Sequence, residues 1–270
     1  MRSKYYLFFI LFLVIFTLNA EANLLINSSL SQEFKVDNKE FVRGKIKAKN
    51  TSDKKINIRL YKRDYSFNAA GKSYYIKPGE GERSNAKWIT IDKKNISLAP
   101  FEQKDLEYKI EVPHDIIKKG SYWSMIMIEE FKEGKSDINT SKEVGVKQKI
   151  RYGIQIITDF ENNRKIDLSF HNAEVNSVQA GKYLFEVDIY NRGISFLNAY
   201  LKLLLVNNKT GEILKEFSDE MNRIYPETSI KISESFNLNK KGSYKLILLL
   251  GNNKDGYFGK KYKFKVNNDH

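Results

Sequence analysis

The stretch SNAKWITIDKKNISLAPFEQKDLEYKIEVPHDIIKKGSYWSMIMIEE, from Ser84 to Glu130, decides the fold. Apolar and charged residues alternate from Leu106 to Val112, and this period of two predicts a strand with one buried face. Pro113 has no N–H for a sheet ladder, so it predicts the end of that strand. After Gly120, the apolar run from Tyr122 to Ile128 predicts a strand inside a sandwich. The stretch carries no catalytic signature, which favours a recognition function.

The rest of the chain shows the same alternation between short turns rich in Gly, Asn and Asp. Asn207 to Gly211, for example, is typical of a hairpin turn between two strands. Helical patterns are nearly absent, and Lys215 to Ile224 is predicted as a short helix or a loop. Short strands at this spacing predict an all-β protein, with two tandem immunoglobulin-like sandwiches after a cleaved signal peptide.

A weak internal repeat supports two sandwiches. An alternating strand ends at Asn50 in the first half and at Asn191 in the second, and Gly-Ser-Tyr precedes an apolar strand at Gly120 and again at Gly242. The interval between the two landmarks is longer in the first half, and an irregular segment there accounts for the difference. We therefore expect a sandwich over residues 23–160 with an inserted loop at 66–86, a polar linker at 159–164, and a second sandwich over 161–270.

The first residues have the pattern of a secretory signal peptide. A short basic head, Met1 to Lys4, precedes an apolar run from Tyr5 to Leu18 and the small-x-small pattern Ala20-Glu21-Ala22. This predicts cleavage after residue 22 and an exported product in the periplasm or at the cell surface, with no integral span after cleavage. An uncleaved N-terminal anchor is the alternative. The chain has no cysteine, so neither a disulfide framework nor a lipid-attachment site is expected.

The chain is basic, with a formal net charge of +13. Such a field favours anionic partners, but the lysines alternate with apolar residues, as in Lys45 to Lys49 and Lys261 to Lys265. This spacing is typical of solvated strand faces, and lysines on edge strands also block aggregation. Export argues against nucleic acid as the partner.

Catalytic patterns are missing from the sequence. The histidines His114, His171 and His270 do not stand at metal-ligand spacings, and there is no nucleophile elbow or phosphate-binding glycine loop. Glu129 and Glu130 are neighbours in a strand, so their carboxylates point to opposite faces. We expect no enzymatic activity, no cofactor and no metal.

Several segments of the first half form a recognisable series: Asn50 to Ile56, Phe67 to Gly71, Tyr74-Tyr75, Arg83 to Ile89, Ile96 to Pro100, Val112-Pro113 and Gly120 to Trp123. Through them the first half resembles the N-terminal domains of PapD-like (pilus-chaperone superfamily) and WxL-interacting proteins of the bacterial envelope. Through Tyr190 to Gly193, Val206 to Gly211 and Tyr225-Pro226, the second half is similar to the immunoglobulin-like domain that often follows. The resemblance covers most of residues 24–266 and implies a periplasmic, chaperone-like protein.

The chain departs from both families. Pilus chaperones hold a client's terminal carboxylate with an arginine on the first strand and a lysine on the last strand of the first domain. Residues 24–36 contain no arginine, whereas the predicted last strand, 144–157, carries Lys147, Lys149 and Arg151 on one face. These three cations, beside the expected inter-domain cleft, are the candidate partner-binding residues. WxL-interacting proteins end in a membrane span and a basic tail, which this sequence lacks.

Two functions remain open. The first is a chaperone-like module that pairs an edge strand with another exported protein, such as a pilus or surface-structure subunit. The second is an envelope scaffold that binds cell-wall glycan or a surface protein through the inserted loop, with Tyr74, Tyr75 and Trp88 stacking on sugar rings. For Trp88, a place in the core is the competing interpretation.

Overall fold

The computed structural model describes residues 23–37, 41–116, 119–131, 150–221 and 223–267. The predicted signal peptide, residues 1–22, lies outside them. Within the described residues, no helix has the length and apolar character needed to cross a membrane. The strands, in chain order, are β1 Leu24–Ile26, β2 Ser31–Lys35, β3 Phe41–Asn50, β4 Ile56–Phe67, β5 Ser73–Ile76, β6 Ile89–Ile91, β7 Asn95–Leu98, β8 Gln103–Glu111, β9 Ser121–Phe131, β10 Arg151–Asp159, β11 Leu168–Gln179, β12 Lys182–Asn191, β13 Tyr200–Asn207, β14 Ile213–Glu220, β15 Ser229–Asn237, β16 Gly242–Asn252 and β17 Gly256–Val266.

Strands β1 to β10 form the first sandwich. One sheet has the order β1-β3-β8-β6, and the other has the order β2-β10-β9-β4-β5, with β7 also pairing with β4. The pairs are antiparallel except for β2 and β10, which run parallel. The inward faces of the two sheets meet in a core of aliphatic residues, among them Ile46, Ile58, Leu106, Ile126 and Ile154.

Strands β11 to β17 form the second sandwich. Its sheets have the orders β11-β12-β15 and β14-β13-β16-β17. Between them lies a separate core that includes Phe185, Leu203, Phe236 and Leu248. The all-β prediction with two sandwiches is confirmed, since each pair of sheets buries its own apolar faces. The boundary at residue 160 stays a prediction that fragment expression tests.

The stretch from Ser84 to Glu130 folds as its pattern predicts. In β8, Leu106, Tyr108 and Ile110 are buried and alternate with residues that are exposed or half-buried. The strand ends at Glu111, two residues before Pro113. Strand β9 then begins one residue after Gly120 and is buried on both faces over most of its length. Its central place in the sheet explains the apolar run.

The internal repeat corresponds to equivalent strands. Strands β3, β4, β8 and β9 occupy the positions that β12, β13, β15 and β16 occupy in the second sandwich. The landmark asparagines are both fully buried and make the same contacts. Asn50 Nδ2 donates to the Lys54 carbonyl (2.7 Å) and Asn191 Nδ2 to the Ser195 carbonyl (2.9 Å). Each Oδ1 accepts from the backbone N–H two residues further along the chain.

Two segments differ from simple expectations. Lys215 to Ile224 is predicted as a short helix or a loop, but residues 215–220 belong to β14, an edge strand. The prediction is wrong for these six residues because an exposed edge strand needs no alternation of apolar residues. Residues 66–86, the expected inserted loop, contain the end of β4 and the short strand β5, which pair as a hairpin. The predicted turn at Asn207 to Gly211 does connect β13 to β14.

The segment between the sandwiches is tightly held. It contains one short 3-10 helix, Glu161–Asn163, whose first N–H groups donate to the Asp37 carboxylate. Phe160 is buried against Val36 and Tyr122. The polar linker predicted from the sequence therefore packs against the first sandwich.

Candidate partner-binding site

The outer face of the sheet that contains β10 carries the candidate cation that the structure describes. On β10, residues Ile154 and Ile156 point into the core, so Arg151, Gly153 and Gln155 point outward. Lys147 and Lys149 lie outside the described residues. Arg151 is exposed, and it lies eight residues, or about 26 Å of extended strand, from Asp159 at the junction between the sandwiches.

Arg151 has a close acidic partner. Its Nε donates to Glu129 Oε2 on the neighbouring strand at 2.6 Å. The same carboxylate accepts from Arg59 Nε at 2.7 Å, so Glu129 lies between two arginines with its side chain 2% exposed. Glu130 points the other way and accepts from Asn23 Nδ2. The prediction that these neighbouring carboxylates face opposite sides is confirmed.

The edge of β10 is only half covered. From Gln155 to Asp159 it pairs with β2, whereas no described strand pairs with that edge from Arg151 to Ile154. Gln155 N–H donates to the Leu30 carbonyl, and the Asp159 carbonyl accepts from Val36 N–H, both on the β2 side. The backbone N–H and C=O groups of successive residues point alternately to the two edges of a strand. Gly153 and Arg151 therefore direct these groups to the same side as Gln155. Within the described residues these groups have no strand partner, and we call them the open edge of β10.

Beside Gly153, the outer face carries two methionines. Gly153 lies opposite Met127 and Gln155 opposite Met125 on β9. A Cβ on Gly153 would lie 2.6 Å from Met125 Cε, so this methionine fills the space that a side chain would take. A strand added beside β10 would therefore contact the methionines across the glycine.

The aromatic residues proposed for glycan stacking do not form one surface. Trp88 is half-buried and packs against Tyr122, with the ring centroids 4.7 Å apart. Tyr74 and Tyr75 are exposed by 46% and 62% on β5. Being neighbours in a strand, they point to opposite faces of the sheet. The structure therefore places Trp88 with the core and separates the two tyrosines.

An aromatic cluster joins the two sandwiches. Trp123 and Ile157 of the first sandwich bury themselves against Phe196 and Tyr225 of the second. The Trp123 and Tyr225 rings lie 4.6 Å apart, and Tyr225 Oη donates to Gln155 Oε1 at 3.1 Å. Burial raises the pKa of the Tyr225 phenol, which stays neutral at ordinary pH. Strand β10 thus contributes to both the open edge and the junction.

Each of the three arginines that the structure describes at this junction forms an ion pair with a carboxylate. Arg83 pairs with Glu227 across it, with the Arg83 side chain 3% exposed. Arg164 pairs with Asp159 and Asp255 and donates to the Phe196 carbonyl at 2.8 Å. Arg223 pairs with Glu33 and Ser31 of the first sandwich, as the hydrogen bonds show.

The sequence patterns did not predict these junction pairs. Except for Arg164 with Asp159, each joins residues that are far apart in the chain, and neither their spacing nor their charge signals the contact. Among the residues that the structure describes, no cluster of His, Asp or Glu side chains could hold a metal ion.

Comparisons with known proteins identify solved structures that have a similar fold. No protein-family model and no curated protein matches the sequence. Solved structures do match, including a chaperone–tip adhesin complex of CFA/I fimbriae (17% identity, TM-score 0.50, 89% of this chain and 98% of that one). The class 5 fimbriae chaperone CfaA is similar (18% identity, TM-score 0.49, 88% and 98%). So is the CsuC–CsuE pre-assembly complex from Acinetobacter baumannii (14% identity, TM-score 0.43, 82% and 93%).

The chaperone–tip adhesin match covers both sandwiches and nearly the whole of the matched chain. The resemblance stated from the sequence is thus confirmed for the fold. The chain shares the fold of this chaperone–tip adhesin structure and has two immunoglobulin-like sandwiches in tandem.

Proposed function

We propose that this protein is a non-enzymatic, exported, chaperone-like module that binds another exported protein, a subunit of a pilus or other surface structure, by strand addition. The observation that carries the proposal is the open edge of β10 at Arg151 and Gly153. Backbone groups on such an edge supply affinity for an extended segment, and neighbouring side chains set its register. Solved chaperones of fimbrial subunits share the fold, which supports the same assignment.

The chemistry of the edge defines the client segment. Apolar client side chains would contact Met125 and Met127 across Gly153, because no side chain stands between them. The basic candidates Lys147, Lys149 and Arg151 favour acidic client side chains or a terminal carboxylate. Arg151 already shares Glu129 with Arg59, so its contribution to client binding is that of a partly neutralised cation.

Charge reversal tests the three basic candidates Lys147, Lys149 and Arg151. We expect Lys147→Glu with Arg151→Glu to weaken partner capture at least about tenfold, which is about 1.4 kcal/mol. Arg151→Glu also places a second carboxylate beside buried Glu129, so the unfolding midpoint must be measured with the affinity. Lys147→Glu with Lys149→Glu leaves that ion pair intact and is the cleaner variant. Unchanged capture by both variants would remove this face from the binding site.

Capture from the native envelope tests the function itself. The mature protein, immobilised and exposed to its own envelope extract, should retain a defined exported protein both with and without prior digestion of the wall. Retention that disappears after wall digestion would instead indicate a glycan scaffold.

Sequencing of the exported product should find a mature start near Asn23, and a retained Met1 would contradict the cleaved leader.

The glycan alternative has less to support it. Trp88 is packed against Tyr122, and Tyr74 and Tyr75 point to opposite faces, so the three rings do not offer a common stacking surface. A protein client needs only the strand edge that the structure describes.

A further inference from the structure

The sheet β14-β13-β16-β17 of the second sandwich has edges of opposite charge. Its β14 edge carries the acidic residues Glu216, Asp219 and Glu220 and one lysine, Lys215. Its β17 edge carries four lysines and no acidic residue between Gly256 and Val266. In a chain with a net charge of +13, an acidic strand edge is unusual.

Strand β14 lacks cover on its outer side. Every residue from Ile213 to Glu220 is exposed except Phe217, which packs against the core. Ile213 and Leu214 are exposed by 57% and 40%. Among the described residues, no strand pairs with the outer side of β14 or of β17. Both edges therefore offer unpaired backbone groups.

The outward backbone groups can be assigned on both edges. Met221 N–H donates to the Ala199 carbonyl of the β13 side, and the register continues without a shift through Asp219 and Phe217. The backbone N–H and C=O groups of Glu216, Ser218 and Glu220 consequently point away from β13, because these groups point alternately to the two edges along a strand.

The same argument applies to β17. Asn208 N–H donates to the Ser243 carbonyl, so the next residue, Tyr244, directs its groups to β17, where it pairs with Phe264. The registers of β16 have no shift. It follows that Lys261, Lys263 and Lys265 direct their N–H and C=O groups outward.

We propose that β14 of one molecule adds antiparallel to β17 of a second copy of this chain, with Glu216 opposite Lys263 and Asp219 opposite Lys260. In this register the outward-bonding residues of the two strands meet, with Ser218 opposite Lys261. Phe217 lies opposite Tyr262, and both rings already face the same side, since both pack against the core of the second sandwich.

The resulting contact is heterologous, because each copy gives one edge and receives the other. Such contacts build open chains or rings instead of closed dimers. The edges involved are separate from the β10 edge, so self-association and client binding use different surfaces. The inference therefore goes beyond the proposed function and does not depend on it.

Disulfide trapping tests the pairing, and the absence of native cysteine makes single substitutions clean. We expect a mixture of Ser218→Cys and Lys261→Cys proteins to form a mixed disulfide under mild oxidation. Residues opposite each other in a hydrogen-bonded pair are about 5.5 Å apart at Cα, within the reach of a disulfide. A mixture of Ser218→Cys with Ser73→Cys, an exposed position on β5, is the matched control. The test pair should crosslink at least about tenfold more than the control.

Charge exchange completes the test. Glu216→Lys in the Ser218→Cys protein should reduce crosslinking to the control level, and Lys263→Glu in its partner should restore it. Raising the salt concentration should also reduce crosslinking, because exposed charge pairs are screened. Crosslinking equal to the control, or insensitive to charge reversal, would overturn the proposal. So would a monomeric mass of the native chain in sedimentation at concentrations up to about 1 mM.

Discussion

Two buried asparagines, Asn50 and Asn191, hold equivalent corners of the two sandwiches. Each side chain bonds backbone groups of the turn that follows it and also reaches across to a second segment, at the Ala99 and Ile224 carbonyls. The sequence identified both residues as landmarks of a repeat, since each ends an alternating strand. Their burial gives the physical reason, because a buried carbonyl needs a donor.

Replacement of either asparagine should be costly. Asn50→Ala or Asn191→Ala removes an amide and leaves buried carbonyls unpaired, so we expect a loss of about 1–3 kcal/mol in the free energy of unfolding. Urea unfolding measures it. Asn27→Ala, at an exposed position with one long side-chain contact, is the control and should change stability by less than about 0.5 kcal/mol. Equal effects at all three positions would contradict the corner role.

Glu161 forms an ion pair on each side of the junction. It contacts Lys254 of the second sandwich and Lys35 of the first, and these hydrogen bonds lower the pKa of its carboxyl to about 2. Because the pKa of Glu161 is lower in the folded protein, its ion pairs stabilise the fold at pH values above the ordinary pKa of 4.5. This stabilisation is lost as the pH falls towards 2. NMR titration should find this low pKa, and Lys254→Ala should raise it. An ordinary pKa in the native protein would contradict the pairing.

At the scale of elements, alternation predicted strands well where one face is buried. Strand β8 followed its alternation, since burial of one face imposes a period of two, and β9 followed its continuous apolar run, since both of its faces are buried. Strand β14 did not, because its residues are nearly all exposed and its charges resemble those of a helix or loop. The sequence pattern also could not predict that Glu129 is buried between Arg59 and Arg151, because this contact depends on the registers of three strands.

The start of β9 gives an element-scale prediction. Gly120 has a φ of 115°, and a Cβ there would lie 2.0 Å from the Ile194 carbonyl oxygen of the second sandwich. Gly120→Ala should therefore destabilise the protein by more than the cost of backbone strain alone, about 1–3 kcal/mol. Gly71→Ala is the control, since Gly71 also has a positive φ, 73°, but has no atom within 4 Å of its Cβ position. Equal unfolding midpoints for the two variants would contradict close packing at the junction.

At the scale of the whole molecule, two separate cores are joined by an aromatic and ionic junction. The sequence predicted two cores from the repeat, and it placed Trp123 in an apolar strand inside a sandwich. It did not predict that Trp123 packs against Tyr225, because a contact between residues a hundred positions apart leaves no periodic signal. The candidate site was predicted in part, since the strand was identified but its half-covered edge depends on the placement of β2.

Separate expression tests the two-core organisation. Residues 23–160 and 161–270 should each fold, since each contains a complete pair of sheets and its own core. Both fragments should unfold at lower temperature than the intact chain, because the split exposes Trp123, Phe196 and Tyr225. Circular dichroism during heating measures this. Two unfolded fragments under conditions where the whole chain is folded would contradict the organisation.

The central claim is that an exported client adds a strand to the open edge of β10. Hydrogen exchange of the backbone amides, measured with and without the captured client, tests it most directly. The account predicts new protection at Arg151 and Gly153, whose N–H groups point outward. Tyr152 and Ile154 should change little, because their N–H groups already face β9. Client binding that leaves Arg151 and Gly153 unprotected, while protecting another edge, would contradict the account.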